Sequence, residues 1–433
     1  MEHPKGKVMY SLKIILVVFS LVSISFVSHA NTSVKNKKQL ITTSKPINYA
    51  QQITFDSKVL GKSQVMNIYL PENFEQSSDH HTYPVIFIND SHGSQFFHAL
   101  TGIVKHLSEV ERIPKSIVVS LNDGGHIPDI YINGMWSGME KIDKYGQPNL
   151  YLRHLTEEFF PFLKENYRAN DQRTIIGVSG SALFPLDTFV HSPKTFNAYL
   201  FLATSDMIGM GFKKGHTMIE AMAESLSQRP DRKEYLYFAD ADSDFDHDPA
   251  YEQNLNKLKN ELSAYKNKNF NFDIETFANE DHYASFLKAM LSAFEHMYPQ
   301  KLWEPKYREL IKQPGDAMAN IDAFYQSLSD QYGFEILPNA DRWNNVNNLR
   351  FISGKLLRDG RSEEAVTVSE RWSLYRPQSL TALLTWAQAL EKLTLNKQAL
   401  NKYQQLVLLA KDQESERLSE FKLAMENVQN KMH

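Results

Sequence analysis

The 433-residue chain contains no cysteine. That absence excludes disulfides, thiolate metal sites, a cysteine nucleophile and a lipid-modified N-terminal cysteine. The chain has no Lys/Arg run, and its formal net charge is only −4, so nothing in it suits a nucleic-acid backbone as partner. Beyond residues 1–30 no stretch is long and apolar enough to span a bilayer. With 42% apolar and 23% charged residues the composition is that of ordinary globular domains, which excludes a disordered or fibrous chain. The length suits two or three compact units rather than a single core.

The N-terminus reads as a targeting segment. Lys5, Lys7 and Lys13 precede an apolar run from Ile14 to Val27, and Ser28-His29-Ala30 puts small residues at the −3 and −1 positions. This predicts a secretory signal over residues 1–30, cleaved after Ala30. The run is broken by Ser20, Ser23 and Ser25 and falls short of the ~18–20 residues a membrane span needs. An exported chain without disulfides must be held by its core alone, and the periplasm or the extracellular space is the expected setting. Residues 31–50 are polar and read as a flexible lead-in.

Residues 51–299 form the first predicted domain. Ile53–Ser57 and Val65–Tyr69 read as an antiparallel hairpin around Gly61. Short apolar runs then follow at Val85–Ile88, Ile117–Leu121, Thr174–Gly177, Ala198–Leu202, Tyr235–Phe238 and Phe270–Phe277. Runs of this kind suit strands buried on both faces of a parallel sheet. Amphipathic stretches lie between them. Tyr151–Tyr167 carries Leu152, Leu155, Phe159, Phe160 and Leu163 at helical spacing. The alternation predicts a doubly wound, mostly parallel α/β sheet, with ligands expected beyond the C-terminal strand ends.

After Pro299 the pattern is helical throughout, with a connector over residues 300–335 and a repeat segment over 336–433. Leu356 and Ala365 recur 34 residues later as Leu390 and Ala399, and Val366 recurs as Leu400. Thirty-four is the tetratricopeptide (TPR) period, a helix–turn–helix unit whose small Ala lets paired helices approach. Two such units are too few for independent stability, so they are expected to pack on the α/β domain or on a protein partner, self-association included.

The clearest chemical signal follows the third buried run: Ile176-Gly177-Val178-Ser179-Gly180-Ser181-Ala182, then a helix. A strand, a small-residue turn with Ser at its apex and a helix is the context of a nucleophile elbow. Ser179 is the candidate nucleophile, with Gly180 N–H aimed at the developing oxyanion. Ser181 stands where a second Gly is usual, at some expected steric cost. His282, in Asn279-Glu280-Asp281-His282 directly after the last strand, is the candidate general base, because the chain order in such folds is Ser, acid, His. The acid is sought after Tyr235–Phe238, where five Asp fall between Asp240 and Asp248. Asp242 and Asp244 are the two candidates for holding the imidazole. Asp at alternate positions also resembles a calcium loop, but the Gly and Glu of an EF-hand are missing, and no metal is expected. The loop after Val85–Ile88 offers Ser91 N–H as second oxyanion donor, with Asp90 and His92 lining the pocket. Met135 and Trp136 are further candidates for substrate contact, and would favour an apolar acyl or aryl group.

Taken together these stretches resemble the putative-esterase branch of the α/β-hydrolase superfamily, the group of esterase D-like, feruloyl-esterase-like and siderophore-esterase-like enzymes. The matching segments run in order from Tyr69-Leu70-Pro71 through Tyr83–Asp90, Arg112-Ile113-Pro114, Phe159–Phe162, Glu165–Arg168 and the elbow to Phe196–Tyr199 and Glu280-Asp281-His282. The resemblance implies a serine esterase, acting on a small-molecule ester or thioester through an acyl-enzyme on Ser179, with His282 as base and no cofactor. Members with C-terminal tetratricopeptide-like repeats are familiar too. Val178, Ser181 and Ala182 stand where such elbows carry His, Gly and Gly. A catalytically degenerate member, acting as a scaffold through its repeats, is the competing expectation.

Overall fold

The computed structural model describes residues 47–78, 81–89, 95–121, 134–142, 148–229, 232–342 and 345–432. The predicted export signal lies outside them. Strands β1 (Ala50–Ser57) and β2 (Lys62–Tyr69) pair antiparallel, and the turn between them uses Gly61 at φ +66°, a conformation that costs a residue without Cβ little. β2 lies antiparallel to β4 (Ile117–Ser120), while β3 (Tyr83–Asn89) runs parallel to β4. A short separate hairpin is formed by β5 (Met135–Ser137) and β6 (Glu140–Ile142). β7 (Ala169–Val178), β8 (Ala198–Leu202), β9 (Glu234–Ala241) and β10 (Phe270–Phe277) complete a sheet of order β1-β2-β4-β3-β7-β8-β9-β10. From β4 to β10 every neighbouring pair is parallel.

The apolar runs are continuous because this sheet is covered twice. Along β3, Val85 and Phe87 point into one core while Ile86 and Ile88 point into the other, as the two-residue repeat of a strand requires. On the second face, that of Ile86 and Ile88, lies α1 (Gln95–Glu109), through Phe96, Phe97, Leu100 and Val104. The opposite face is covered by α2 (Pro148–Arg153), α3 (Phe160–Tyr167), α4 (Leu183–His191), α5 (Met218–Ser225) and α6 (Ala250–Ala264). α7 (Phe286–Met297) returns to the face of α1.

One predicted helix is interrupted. Tyr151–Tyr167 is expected to run unbroken, but His154–Phe159 forms a π-helical turn in which the Phe160 N–H reaches Leu155 O. Pro161 has no N–H to offer the preceding turn, and the wider turn accommodates the gap.

The C-terminal region is all helix: α8 (Gln300–Trp303), α9 (Tyr307–Leu310), α10 (Ala317–Tyr332), α11 (Leu349–Arg358), α12 (Ser362–Tyr375), α13 (Leu380–Lys392), α14 (Asn396–Asp412) and α15 (Leu418–Asn430). From α11 onward each helix packs against the next in the chain. Leu356 and Leu390, on α11 and α13, are both buried, as are Ala365 and Ala399 on α12 and α14. These helices share an apolar core with the sheet: Trp303, Tyr307, Ile352 and Trp372 belong to the same cluster as Ile86, Phe97 and Met290. Among the described residues no helix is long and apolar enough to cross a membrane.

Candidate active site

The strand order reverses between β3 and its neighbours β4 and β7, and β7 ends at this switch point, where open α/β sheets leave a crevice. Ser179 follows β7 directly, at φ +50°. A left-handed conformation at a residue with a Cβ costs about 1–3 kcal/mol and persists only where the surroundings over-determine it. Three features do so here. A Cβ on Gly177 would lie 2.5 Å from Ala182 Cα, so only glycine lets strand and helix close this tightly. Ser181 Oγ donates to Val178 O (2.7 Å) and accepts from Val178 N–H (2.9 Å). Buried Asn89 Nδ2, at the end of β3, donates to Ser181 O (2.6 Å). The expected cost at Ser181 is thus offset: its hydroxyl is buried but fully used, staples the turn, and does a job glycine cannot.

His282 stands in the loop after β10. Its Nδ1 lies 2.7 Å from Asp244 Oδ1, in the short 3-10 turn Asp242–Asp246 that follows β9. Asp244 is buried and its other oxygen, Oδ2, has no partner among the described residues. The hydrogen bond to Asp244, and secondarily the charges of Asp244, Asp240 and Asp206, raise the imidazole above its ordinary value near 6.5, against an opposing effect of burial. The Tyr283 ring packs edge-on against the imidazole at 4.6 Å between centroids, and Ser285 Oγ donates to His282 O.

Of the two candidate acids, only Asp244 meets the histidine. Asp242 instead accepts the backbone N–H groups of Asn279 (2.8 Å) and Glu280 (3.3 Å). Its carboxyl is held below the ordinary range chiefly by the Asn279 N–H. It therefore shapes the loop that carries His282 rather than the ring itself.

A cavity of about 310 Å³ opens beside this pair, lined by Asp206, Asp240, Asp244, His247, Tyr251 and His282 among others. Asp240 and Asp206 are site residues that sequence reasoning did not single out. The available signal is an acid at the end of the otherwise apolar β9. Burial raises Asp240 to about 6 and also raises Asp206, against hydrogen bonds that lower each. The sequence places Met135 and Trp136 in substrate contact, but neither lines this cavity. Met135 is packed in the core at 3% exposure, drawn there by its apolar side chain. Trp136 is fixed by backbone bonds to Gly211. Asp90, Ser91 and His92 lie outside the described residues, so of the two expected oxyanion donors only Gly180, next to Ser179, is in view. Among the described residues no group of three or more His, Asp or Glu could hold a metal ion.

A family model described as "Putative esterase" matches residues 57–301. The chain belongs to that family. It is a carboxylic ester hydrolase built on the α/β-hydrolase sheet. A similar curated protein is the Uncharacterized protein YbbA of Bacillus subtilis (strain 168), 22% identical over 245 residues, which are 53% of this chain and 91% of that protein. Among solved structures, an IroE-like serine hydrolase from Shewanella oneidensis matches with a TM-score of 0.56 at 17% identity, over 75% of this chain and 99% of its own. An uncharacterised protein from Capnocytophaga ochracea matches with a TM-score of 0.52 at 15% identity, over 86% of this chain and 99% of its own. At such identities these likenesses speak to fold. Both extend beyond the esterase segment into the C-terminal helices, since 75% and 86% of the chain are each more than everything up to residue 301 can supply.

Proposed function

We propose that the protein is an exported serine esterase that cleaves a carboxylic ester or thioester through an acyl-enzyme on Ser179. The observation that carries this reading is the 2.7 Å Asp244–His282 pair at the same C-terminal end of the parallel strands as a serine held at φ +50°. Asp244 fixes the tautomer with the proton on Nδ1, which leaves Nε2 free to take the proton of Ser179. The Ser179 oxygen then attacks the ester carbonyl, and the Gly180 N–H stabilises the resulting oxyanion. Collapse breaks the bond to the leaving alcohol or thiol, which receives the proton from His282. Water, deprotonated by the same imidazole, then releases the acid and restores Ser179.

Export is supported by the basic start, the Ile14–Val27 run and Ser28-His29-Ala30. The C-terminal helices read as tetratricopeptide-like units because positions 34 apart take equivalent buried places in successive helix pairs.

The test is labelling with a fluorophosphonate followed by peptide mapping, together with Ser179→Ala. Label on the Ser179 peptide, and a rate loss of about 10⁴–10⁶, are expected. A variant that turns over aryl acetates within about tenfold of the parent would overturn the assignment. N-terminal sequencing of the mature protein checks cleavage after Ala30.

A further inference from the structure

His154 is a titratable group that the proposed chemistry does not use, and it is 0% exposed. The π turn puts it there. Residues five apart in an α-helix point about 140° away from each other, whereas the wider turn stacks His154 on Phe159 with 6.1 Å between ring centroids. Phe55 of β1, at 5.6 Å, and Tyr151, at 5.9 Å, add two further rings to an aromatic cage. The neighbouring carboxylate fixes the tautomer. Glu158 accepts Ser57 Oγ–H (2.6 Å) and the N–H groups of Lys58 (2.9 Å) and Val59 (3.1 Å), from the end of β1 and the turn after it. Against the opposing effect of burial, Ser57, His154, Val59 and Lys58 hold its carboxyl down at about 2, so at neutral pH it is ionised and only accepts. His154 Nδ1, 3.1 Å from Glu158 Oε2, therefore carries the ring proton. Nε2 is buried and has no partner among the described residues. A second proton would make it a buried N–H with nothing to accept it. The charged group facing the ring is Glu158, while Phe55, Tyr151 and Phe159 are uncharged at neutral pH. Taking a charge out of water costs more than aromatic faces return to a cation. Burial accordingly pushes the imidazole below its ordinary value near 6.5, against the bond to Glu158 and its charge.

We propose that His154 is an acid-sensitive latch between the β1–β2 hairpin and the helical segment packed on it. Neutral, the ring stays in its cage and steadies Glu158, which ties down the hairpin turn. Protonated, it leaves the cage for water, Glu158 loses a donor, and the turn at Lys58 and Val59 loosens. The latch stands apart from the acyl-enzyme reading, since neither His154 nor Glu158 has a part in it. It does reach the same end of the sheet. Tyr151 Oη donates to Leu121 O just after β4 (3.2 Å), and its ring packs edge-on at 5.0 Å against Phe184 of α4, the helix that follows the Ser179 turn. The folded chain binds the His154 proton less readily than the unfolded one. The stabilisation is therefore whole above about pH 6.5 and is lost as pH falls through the lower folded value. His282 and His191, whose imidazoles are raised, contribute with the opposite sign, so a comparison with variants is needed to isolate it.

The experiment compares the full chain with His154→Phe, which fills the cage without titrating, and with His154→Asn, which keeps a donor toward Glu158. Urea unfolding is followed from pH 7.5 to pH 5. The parent's unfolding constant should rise relative to each variant's by up to about tenfold per pH unit below about 6.5. Amide exchange, corrected for its intrinsic rate, should show Lys58 and Val59 losing protection relative to β3 at pH 5 in the parent and keeping it in His154→Phe. Should either variant fail to fold, NMR titration of the parent with carbon-13 in its histidine rings reads the same quantity. A His154 resonance, assigned through its contacts with Phe55 and Phe159, should then titrate below 6.5. Equal pH slopes in parent and variants, a His154 resonance titrating at or above 6.5, or Lys58 and Val59 amides that stay protected at pH 5 overturns the latch.

Discussion

Replacing Gly177 by Ala tests whether the close approach of strand and helix is what holds the serine turn. The added Cβ would sit 2.5 Å from Ala182 Cα, 2.9 Å from its Cβ and 3.2 Å from its backbone N. The nearest neighbour is main chain, so it cannot swing aside as a long side chain would. Restoring ordinary contact at 3.4 Å requires strand and helix to part by about 0.9 Å at this point. Overpacking of this kind costs about 1–3 kcal/mol, which for a chain of this size corresponds to a Tm roughly 1–4 °C lower. The effect on rate is larger. A misplacement of about 1 Å at a reacting group costs on the order of 10²-fold, and Ser179 stands two residues from the added methyl. Thermal unfolding followed by circular dichroism, alongside kcat/KM for phenyl acetate, reads both. Gly102→Ala is the control: it lies within α1 with nothing inside 4 Å of the new Cβ, and should leave activity alone while stabilising by up to ~1 kcal/mol. If Gly177→Ala kept both the parent's Tm and its turnover, the account of the turn would be wrong.

Three further expectations follow from the same geometry. Asp244→Asn should lower kcat by on the order of 10³–10⁴. It should also move the acidic limb of the pH–rate profile to lower pH: the base must be neutral, activity rises as pH passes its pKa, and the lost hydrogen bond is the main cause holding that pKa up; an unmoved limb would separate Asp244 from the catalytic histidine. Ser181→Ala removes two hydrogen bonds from a buried turn and should cost about 1–3 kcal/mol by urea unfolding, whereas an unchanged midpoint would mean that the hydroxyl staples nothing. Activity should be indifferent to EDTA and EGTA, because the nucleophile is a side chain; loss to EGTA with recovery on adding calcium would return the Asp240–Asp248 stretch to ion binding.

What was legible in the sequence was local. The strand series from Val85 to Phe277 shows as short runs because both faces of those strands are buried. The serine turn shows because two of its three constraints fall within the six residues Gly177–Ala182, while the third, Asn89, reaches it from β3. The histidine shows because its place after the final strand is fixed by topology. The choice between Asp242 and Asp244 was not legible, since it depends on how a single 3-10 turn rotates two carboxylates two residues apart. One comes to face a ring and the other a backbone, and five neighbouring Asp give no pattern that separates them. The joint approach of Asp206 and Asp240 to His282 was hidden for a different reason. It joins the end of β9 to the loops after β8 and β10, and no spacing in the chain encodes that.

The C-terminal helices illustrate the same limit from the side of packing. Their period of 34 residues marks them as a unit, yet it says nothing of where their apolar faces go. Those faces meet α7, the helix that begins four residues after His282. Met290, Phe294 and Met297 of α7 belong to one core with Trp303, Tyr307, Ile321 and Ile352, and Tyr332 Oη donates to Met297 O at 2.9 Å. The Tyr375 ring packs on His81 at 4.6 Å, just ahead of β3. The segment bearing His282 is therefore clamped on one side by Asp242 and Asp244, and on the other by a helix whose buried face the C-terminal helices complete. Removing the helices would expose that face before it touched any reacting group. If His282 is the base proposed above, the first contribution of these helices to the chemistry is mechanical, because they cover α7, the helix that follows His282.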